Sequence, residues 1–228
     1  MVTRTSVPTG VRASAAAVSA GPLADTMLLF DWNGTIVIDS DRAHAALNGV
    51  LARRSLRILG EAEFARRFRL PLAELLERLG VEPDDIAEAE AEWNAGLAES
   101  RSHLRGGAAE CLRELAADGA WLGVLTVASA AAVRFDQRAL QVPPVWNSVE
   151  AGLGDTLEPM LRHRAARQRA YFVGDDADDL RRASAAGYLP VAVTDAPGDD
   201  RALRAAGAVH VIADLDELRA LVAGDTPA

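Results

Sequence analysis

Five short runs of consecutive apolar residues restrict this chain to a small set of folds. Each run is five to seven residues long, which is the length of a single β-strand. The runs are continuous rather than alternating, as is typical of parallel strands covered on both faces. Helical patterns separate the last four runs, so the sequence predicts an α/β fold with a doubly wound (Rossmann-like) parallel sheet. The runs occupy residues 27–31, 121–127, 170–175, 190–195 and 208–214.

A long segment without a strand pattern separates the first two runs. Residues 40–103 carry amphipathic helical patterns, with breaks at Gly60, Pro71 and Gly80–Pro83. This segment is too long for an ordinary crossover, so we interpret it as an inserted α-helical cap. The predicted parts of the chain are a disordered leader at 1–24, an α/β core at 25–39 and 104–228, and the cap at 40–103.

Composition argues against several classes of function. The net charge of −9 argues against a nucleic-acid-binding surface, and the single cysteine, Cys111, excludes an internal disulfide or a zinc knuckle. All 24 basic residues are arginine, so the chain has no amine for a Schiff base or a lysine-type phosphate clamp. No apolar run approaches the length of a membrane span. We therefore expect a cytoplasmic protein without nucleic-acid or membrane partners, and the oligomeric state stays open.

Polar residues follow three of the predicted strands at the point where each strand ends. Asp31 ends the first run, Thr126 stands near the end of the second, and Asp175 ends the third. Asp179 follows Asp175 by about one helical turn. Since ligands of parallel sheets bind beyond the carboxyl ends of the strands, we expect these side chains to share one crevice. Converging carboxylates would suit Mg²⁺, and a turn containing Gly34 could hold phosphate oxygens through its backbone N–H groups.

These stretches resemble the motifs of haloacid dehalogenase-like phosphohydrolases. FDWNGTIVIDS resembles the first motif of the family, Asp-x-Asp-Gly-Thr, and LGVLTVAS resembles the second, a strand that ends in Thr or Ser. YFVGDDADDLRRASAAG resembles the fourth, Gly-Asp-x-x-x-Asp followed by a helix. The resemblance covers Met27 to about Leu221, and the helical insertion looks like the C1-type cap of phosphoglycolate-phosphatase-like members.

The resemblance implies a role for each of these residues. Asp31 would attack phosphorus to form an aspartyl-phosphate. Thr126 would donate a hydrogen bond to the transferring phosphoryl group, beside the turn that contains Gly34 and Thr35. The implied function is a magnesium-dependent phosphatase that acts on a small phosphorylated metabolite. The implied Mg²⁺ ligands are Asp31, the backbone carbonyl of Asn33, Asp175 and, directly or through water, Asp179.

Two positions depart from the pattern of the family. Asn33 replaces the aspartate that protonates the leaving group and then activates water, and losing such a group costs about 10²–10⁴ in rate. The lysine of the third motif is absent, and Thr156 stands near its expected position. Arg162 or Arg164 could approach the phosphate instead. We therefore expect slow turnover of alkyl phosphates and faster turnover of acyl or aryl phosphates.

Other interpretations of the same residues stay open. Asp175 and Asp179 could simply begin a helix, since acidic residues favour the first turn, and Thr126 could bond to the local backbone. The two departures also allow a degenerate family member that binds a ligand or a partner without turnover. Dehalogenation of a 2-haloacid would use Asp31 without a metal, although the acidic fourth motif argues against it. Three residues at the start of the cap could face the substrate: Asp39, Asp41 and His44.

Overall fold

Residues 21–68, 71–99, 102–194 and 200–225 are described in the computed structural model of the protein. Their strands, in chain order, are β1 (Thr26–Phe30), β2 (Val37–Ile38), β3 (His103–Leu104), β4 (Trp121–Thr126), β5 (Ser148–Ala151), β6 (Arg169–Gly174), β7 (Leu189–Val193) and β8 (His210–Ile212). Six of them form one parallel sheet in the order β5-β4-β1-β6-β7-β8. The predicted doubly wound parallel sheet is confirmed.

Helices cover both faces of this sheet. In chain order the α-helices are α1 (Ser40–Arg53), α2 (Glu61–Arg67), α3 (Leu72–Arg78), α4 (Ile86–Glu99), α5 (Ala108–Ala117), α6 (Ala130–Ala139), α7 (Leu157–His163), α8 (Ala177–Ala185), α9 (Arg201–Ala205) and α10 (Asp216–Gly224). Helices α5, α6 and α10 contribute to the apolar core on one face, whereas α7, α8 and α9 contribute to the core on the other. The described helices are too short or too polar for any of them to cross a membrane.

Strand β1 lies inside the sheet and is covered by apolar cores on both faces. All five of its residues are buried. Leu28 and Phe30 join the core on one face, while Met27 and Leu29 join the core on the other. Because successive side chains of a strand point to opposite faces, a strand covered on both sides needs apolar residues at every position. The apolar run ends where the strand ends, and Asp31 follows directly.

The predicted helical insertion consists of α1, α2, α3 and α4, which enclose a separate apolar core. Helix α4 packs against both α1 and α3. The predicted breaks agree with the helix ends, since Gly60 and Pro71 directly precede α2 and α3, and Gly80 has a φ of +94° after α3. The two ends of the insertion are joined by the antiparallel pair of β2 and β3, which the sequence analysis missed. Two-residue strands are too short to show a period.

The sequence analysis also missed β5, the strand at one edge of the sheet. Its sequence, SVEA, is half-buried or exposed rather than fully covered, so it lacks the continuous apolar run that identifies the other strands. The other predicted strands are present with ends shifted by at most two residues. Asp195, which was included in the fourth predicted run, lies outside the described residues.

The predicted leader at 1–24 lies mostly outside the described residues, which begin at Gly21. The last part of this segment packs on the core. Leu23 is buried, and its N–H donates to the carbonyl oxygen of Asp118 at 2.9 Å. The packed core therefore includes Leu23, two residues before Asp25, where the sequence analysis placed the start of the core.

Candidate active site

The three polar strand ends predicted from the sequence lie side by side. Strand β1 is hydrogen-bonded to β4 on one side and to β6 on the other. Asp31 directly follows β1, Thr126 is the last residue of β4, and Asp175 directly follows β6. The Asp31 N–H donates to the carbonyl oxygen of Val173 at 2.9 Å, which fixes the end of β1 against β6. The parallel sheet therefore brings these three residues to one edge, as expected.

A tight turn holds the backbone after Asp31. The carbonyl oxygen of Trp32 accepts hydrogen bonds from the N–H groups of Ile36 and Val37, both at 2.9 Å. The indole of Trp32 is fully buried and its Nε1 donates to Asp136 Oδ2 at 3.1 Å. Trp32 therefore anchors the turn in the core.

Gly34 occupies a position in this turn that no other residue fits. Its φ is +77°, a region that L-residues with a side chain rarely adopt. A Cβ at this position would lie 2.1 Å from Asp175 Oδ2. The Asp175 carboxylate therefore packs directly on the turn that follows Asp31, and the glycine allows that approach.

The environment of Asp31 and Asp175 disfavours two negative charges. The pKa of Asp31 is raised well above its usual value, first by removal of the carboxylate from water and then by the charge of Asp175. Burial and the charge of Asp176 raise the pKa of Asp175 to about 7, although the residue keeps an exposed surface through which solvent reaches it. A cation or an added proton would relieve this repulsion.

These two carboxylates fit a Mg²⁺ ion by charge and by donor type. Magnesium is commonly bound by one or two carboxylates, with water and substrate oxygens completing its six ligands. Within the described part of the chain, no three acidic, histidine or cysteine side chains converge as a metal site. The residues present therefore suit a site with two carboxylates, Asp31 and Asp175, better than one with three.

Asp179 has other partners. Its Oδ1 accepts a hydrogen bond from Thr156 Oγ1 at 2.6 Å and one from Arg182 Nη1 at 2.8 Å. Thr156, which stands near the expected position of the lysine, is buried. The role predicted for Asp179 at the metal, direct or through water, stays a prediction. Asp176 caps α8 through hydrogen bonds from two backbone N–H groups.

The side chain of Asn33 is engaged with the start of the cap. Its Nδ2 donates to Asp39 Oδ2 at 2.7 Å, and Arg42 Nη2 lies 3.3 Å from the same oxygen. Burial is the main cause that raises the pKa of Asp39. Of the three residues that were expected to face the substrate from the start of the cap, Asp39 contacts the turn after Asp31. His44 instead contacts the carbonyl oxygen of Leu59 at 2.7 Å within the cap, and Asp41 is exposed.

Two buried hydroxyl groups lie at the same edge of the sheet. Thr126 Oγ1 accepts a hydrogen bond from the Ala128 N–H at 3.1 Å, as the simpler interpretation of this residue suggested. That bond uses a lone pair, so the hydroxyl proton is still available to a ligand. Thr35 Oγ1 is buried without a hydrogen-bond partner among the described residues.

Arg105 is a residue of this site that the sequence analysis missed. Its side chain is only 3% exposed, and its guanidinium donates to the carbonyl oxygens of Thr35 at 3.0 Å, Ala213 at 2.9 Å and Gly34. An arginine beside two glycines gives no sequence signal for burial. The two arginines proposed to approach the phosphate bind elsewhere, since Arg162 pairs with glutamates and Arg164 with backbone carbonyls.

Comparison with protein families gives one match that covers more than half of the chain. The model of the family described as haloacid dehalogenase-like hydrolase matches residues 28–151. This range contains the turn after Asp31, the helical insertion and the strand that ends at Thr126. No curated protein matches the chain.

Solved structures share the fold over nearly the whole chain. A haloacid dehalogenase-like family hydrolase from Streptococcus pneumoniae is 17% identical, with 87% of this chain and 99% of that chain covered and a TM-score of 0.74. A protein described as a predicted phosphoglycolate phosphatase from Haemophilus somnus is 18% identical, with 88% and 98% covered and a TM-score of 0.75. CbbY from Rhodobacter sphaeroides, in complex with phosphate, is 22% identical, with 86% and 96% covered and a TM-score of 0.68.

Proposed function

Because the chain belongs to the haloacid dehalogenase-like hydrolases, we propose that it is a magnesium-dependent phosphatase for a small phosphorylated metabolite. The observation that most supports this proposal is the pair of carboxylates, Asp31 and Asp175, at adjacent strand ends beside the Gly34 turn. Each is held where its negative charge is disfavoured. A pair in such an environment is suited to a cation and to a phosphorylated ligand.

Asp31 is the proposed nucleophile. Its carboxylate oxygen would form a bond to phosphorus while the bond from phosphorus to the leaving oxygen breaks, giving an aspartyl-phosphate that water then hydrolyses. The backbone of β6 fixes the start of the turn through the Asp31 N–H. A nucleophile whose backbone is fixed in this way is positioned for in-line attack.

Two hydroxyl groups and the turn would hold the phosphoryl group. Thr126 keeps a proton to donate, and the buried hydroxyl of Thr35 has no partner among the described residues that would compete for it. Gly34 lets the backbone of the turn come close to the ligand. These groups would stabilise the charge that develops on the phosphoryl oxygens.

The proposed Mg²⁺ ligands are Asp31, the backbone carbonyl of Asn33 and Asp175, with Asp179 acting indirectly through its neighbours. When bound, the ion would neutralise negative charge between the two carboxylates and the phosphate.

Asn33 limits the substrates that the site can process. An amide cannot protonate a leaving alkoxide at neutral pH, and the Asn33 amide already donates to Asp39. Leaving groups that depart without a proton, such as carboxylates and nitrophenolates, avoid this requirement. Acyl and aryl phosphates should therefore be cleaved faster than sugar phosphates.

The proposal can be tested with acetyl phosphate, p-nitrophenyl phosphate and a sugar phosphate, each with Mg²⁺ and with EDTA. We expect Mg²⁺-dependent hydrolysis of the first two, which Asp31→Asn and Asp175→Asn abolish. Asp178→Asn is a matched control, because Asp178 lies in the same acidic stretch but forms an exposed ion pair with Arg181. Activity that survives in Asp31→Asn would exclude the proposed nucleophile.

A second candidate function is phosphate or partner binding without turnover. It is favoured by the engagement of the Asn33 side chain with Asp39 and by the absence of lysine from the chain. Trapping with beryllofluoride separates the two candidates, since a competent nucleophile gives a ¹⁹F NMR signal that is lost in Asp31→Asn. Dehalogenation is the less favoured alternative, and halide release from a 2-haloacid in EDTA would support it.

A further inference from the structure

Arg105 is the only buried arginine in the described segments. It follows β3 at the end of the helical insertion and extends beneath the turn after Asp31. Burying a guanidinium is costly unless its donors are satisfied. Here they bind backbone carbonyls from two distant parts of the chain, Thr35 and Gly34 in the turn and Ala213 after β8.

The Gly34 residue lies between Arg105 and Asp175. Its carbonyl oxygen accepts a hydrogen bond from Arg105, and its Cα faces the Asp175 carboxylate, which leaves no room for a Cβ. The positive charge of Arg105 also lowers the pKa of Asp175 and so opposes the effect of burial. The guanidinium therefore acts on both the backbone of the turn and the carboxylate next to it.

We propose that Arg105 is a positioning residue that supplies, from beneath the turn, the fixed positive charge that a third-motif lysine would supply. The inference rests on the proposed phosphate site, and it divides the role of the lysine between two residues. Thr156 provides the hydrogen bond to Asp179, and Arg105 provides the charge. The guanidinium donates to carbonyl oxygens of the turn and its positive charge reaches Asp175, so the proposed role is exerted through the turn and through Asp175.

Three variants of the full-length protein separate charge from packing. Arg105→Met keeps the length of the side chain without its charge, while Arg105→Lys keeps the charge without the forked donors. Arg164→Met is the matched control, because Arg164 also donates to three backbone carbonyls, those of Gly187, Arg167 and Gln168. These carbonyls lie near the amino-terminal ends of β6 and β7, away from the site.

The affinity for inorganic phosphate, measured by calorimetry with Mg²⁺ present, is the main readout, and thermal unfolding is measured beside it. We expect Arg105→Met to weaken phosphate binding by on the order of tenfold or more, and Arg105→Lys to stay within a few-fold of wild type. Arg164→Met should lower the melting temperature without changing phosphate affinity.

Two results would overturn the inference. One is wild-type phosphate affinity in Arg105→Met. The other is an equal loss in Arg105→Met and Arg105→Lys, since a charge effect requires the lysine variant to bind more tightly. If the wild-type protein binds phosphate but shows no turnover, the phosphatase proposal is refuted. If Arg105→Met then loses that phosphate binding, this inference is still supported. A wild-type protein that binds no phosphate would refute both.

Discussion

The side-chain amide of Asn33 donates to the carboxylate of Asp39 at 2.7 Å. This bond joins the turn that follows the proposed nucleophile to the residue that precedes the first helix of the cap. In the family pattern a carboxyl group stands at position 33, and next to Asp39 it would face a second carboxylate. The bond therefore explains how an asparagine is accommodated at position 33. It also means that an aspartate introduced at this position would lie next to the Asp39 carboxylate.

Asn33→Asp should raise activity on a sugar phosphate by about 10²–10⁴, because it restores a general acid next to the leaving group. It should also lower stability at neutral and higher pH, since two adjacent carboxylates must share a proton or repel each other. The measurements are kcat/KM for a sugar phosphate and the melting temperature between pH 5 and 8.

The double variant Asn33→Asp/Asp39→Asn is the control for this prediction. It exchanges the two side chains and so keeps one amide and one carboxylate in contact. The double variant should recover the stability that Asn33→Asp loses while keeping the gained activity. If Asn33→Asp gains no activity in either background, position 33 does not limit turnover.

Gly34→Ala should abolish phosphate binding and destabilise the protein by more than about 2 kcal/mol. A left-handed backbone costs an alanine about 1–2 kcal/mol, and the new Cβ would also collide with Asp175 Oδ2. Gly152→Ala is a matched control, because Gly152 has a similar φ of +74° but no atom lies within 4 Å of the position that its Cβ would occupy. Urea unfolding and phosphate calorimetry of both variants test this. Equal effects in the two variants would show that the contact with Asp175 is unimportant.

The stability of the metal-free protein should fall as the pH rises from about 4 to about 7. The pKa of Asp175 is raised from 3.8 to about 7, and that of Asp31 is raised well above 3.8. The folded state therefore binds more protons than the unfolded state in this window, so stability is lost as the pH rises through the folded pKa values. The measurement is the melting temperature in EDTA at several pH values.

Added Mg²⁺ should flatten this pH dependence, because a cation between the carboxylates favours their charged forms. Asp175→Asn should flatten it as well, in EDTA, by removing one member of the pair. The three samples to compare are the wild type in EDTA, the wild type with Mg²⁺, and Asp175→Asn in EDTA. If their melting temperatures depend equally on pH, groups other than Asp31 and Asp175 are responsible for the titration.

The sheet and part of the site could be predicted because they depend on local sequence. A run such as 27–31 is apolar at every position since both faces of β1 are covered, and its end locates Asp31 at the edge of the sheet. The half-covered edge strand β5 has no such run and was missed. The same logic predicted the positions of Thr126 and Asp175.

The remaining features of the site depend on contacts between distant segments. Arg105 is buried by carbonyl oxygens that are 70 to 108 residues away in sequence, and nothing in its neighbourhood in the sequence marks it as internal. The partners of Asp179 show the same difficulty, because Thr156 reaches it from a separate helix start. Sequence could place Thr156 near the missing lysine but could not show which atom it binds.

The bond from Thr156 to Asp179 leads to the last prediction. Thr156→Val keeps the shape of the side chain but removes its hydroxyl, which leaves a half-buried carboxylate with one hydrogen bond fewer. The loss of a bond to a charged group should cost about 1–3 kcal/mol and lower kcat more than it changes KM, because Asp179 is proposed to support the magnesium site indirectly. Thr26→Val is a matched control, since Thr26 is a buried threonine that donates to Asp25 at 3.0 Å at the opposite end of β1. It should lower stability without an effect on kcat, and an equal fall of kcat in both variants would reduce the role of Thr156 to general stability.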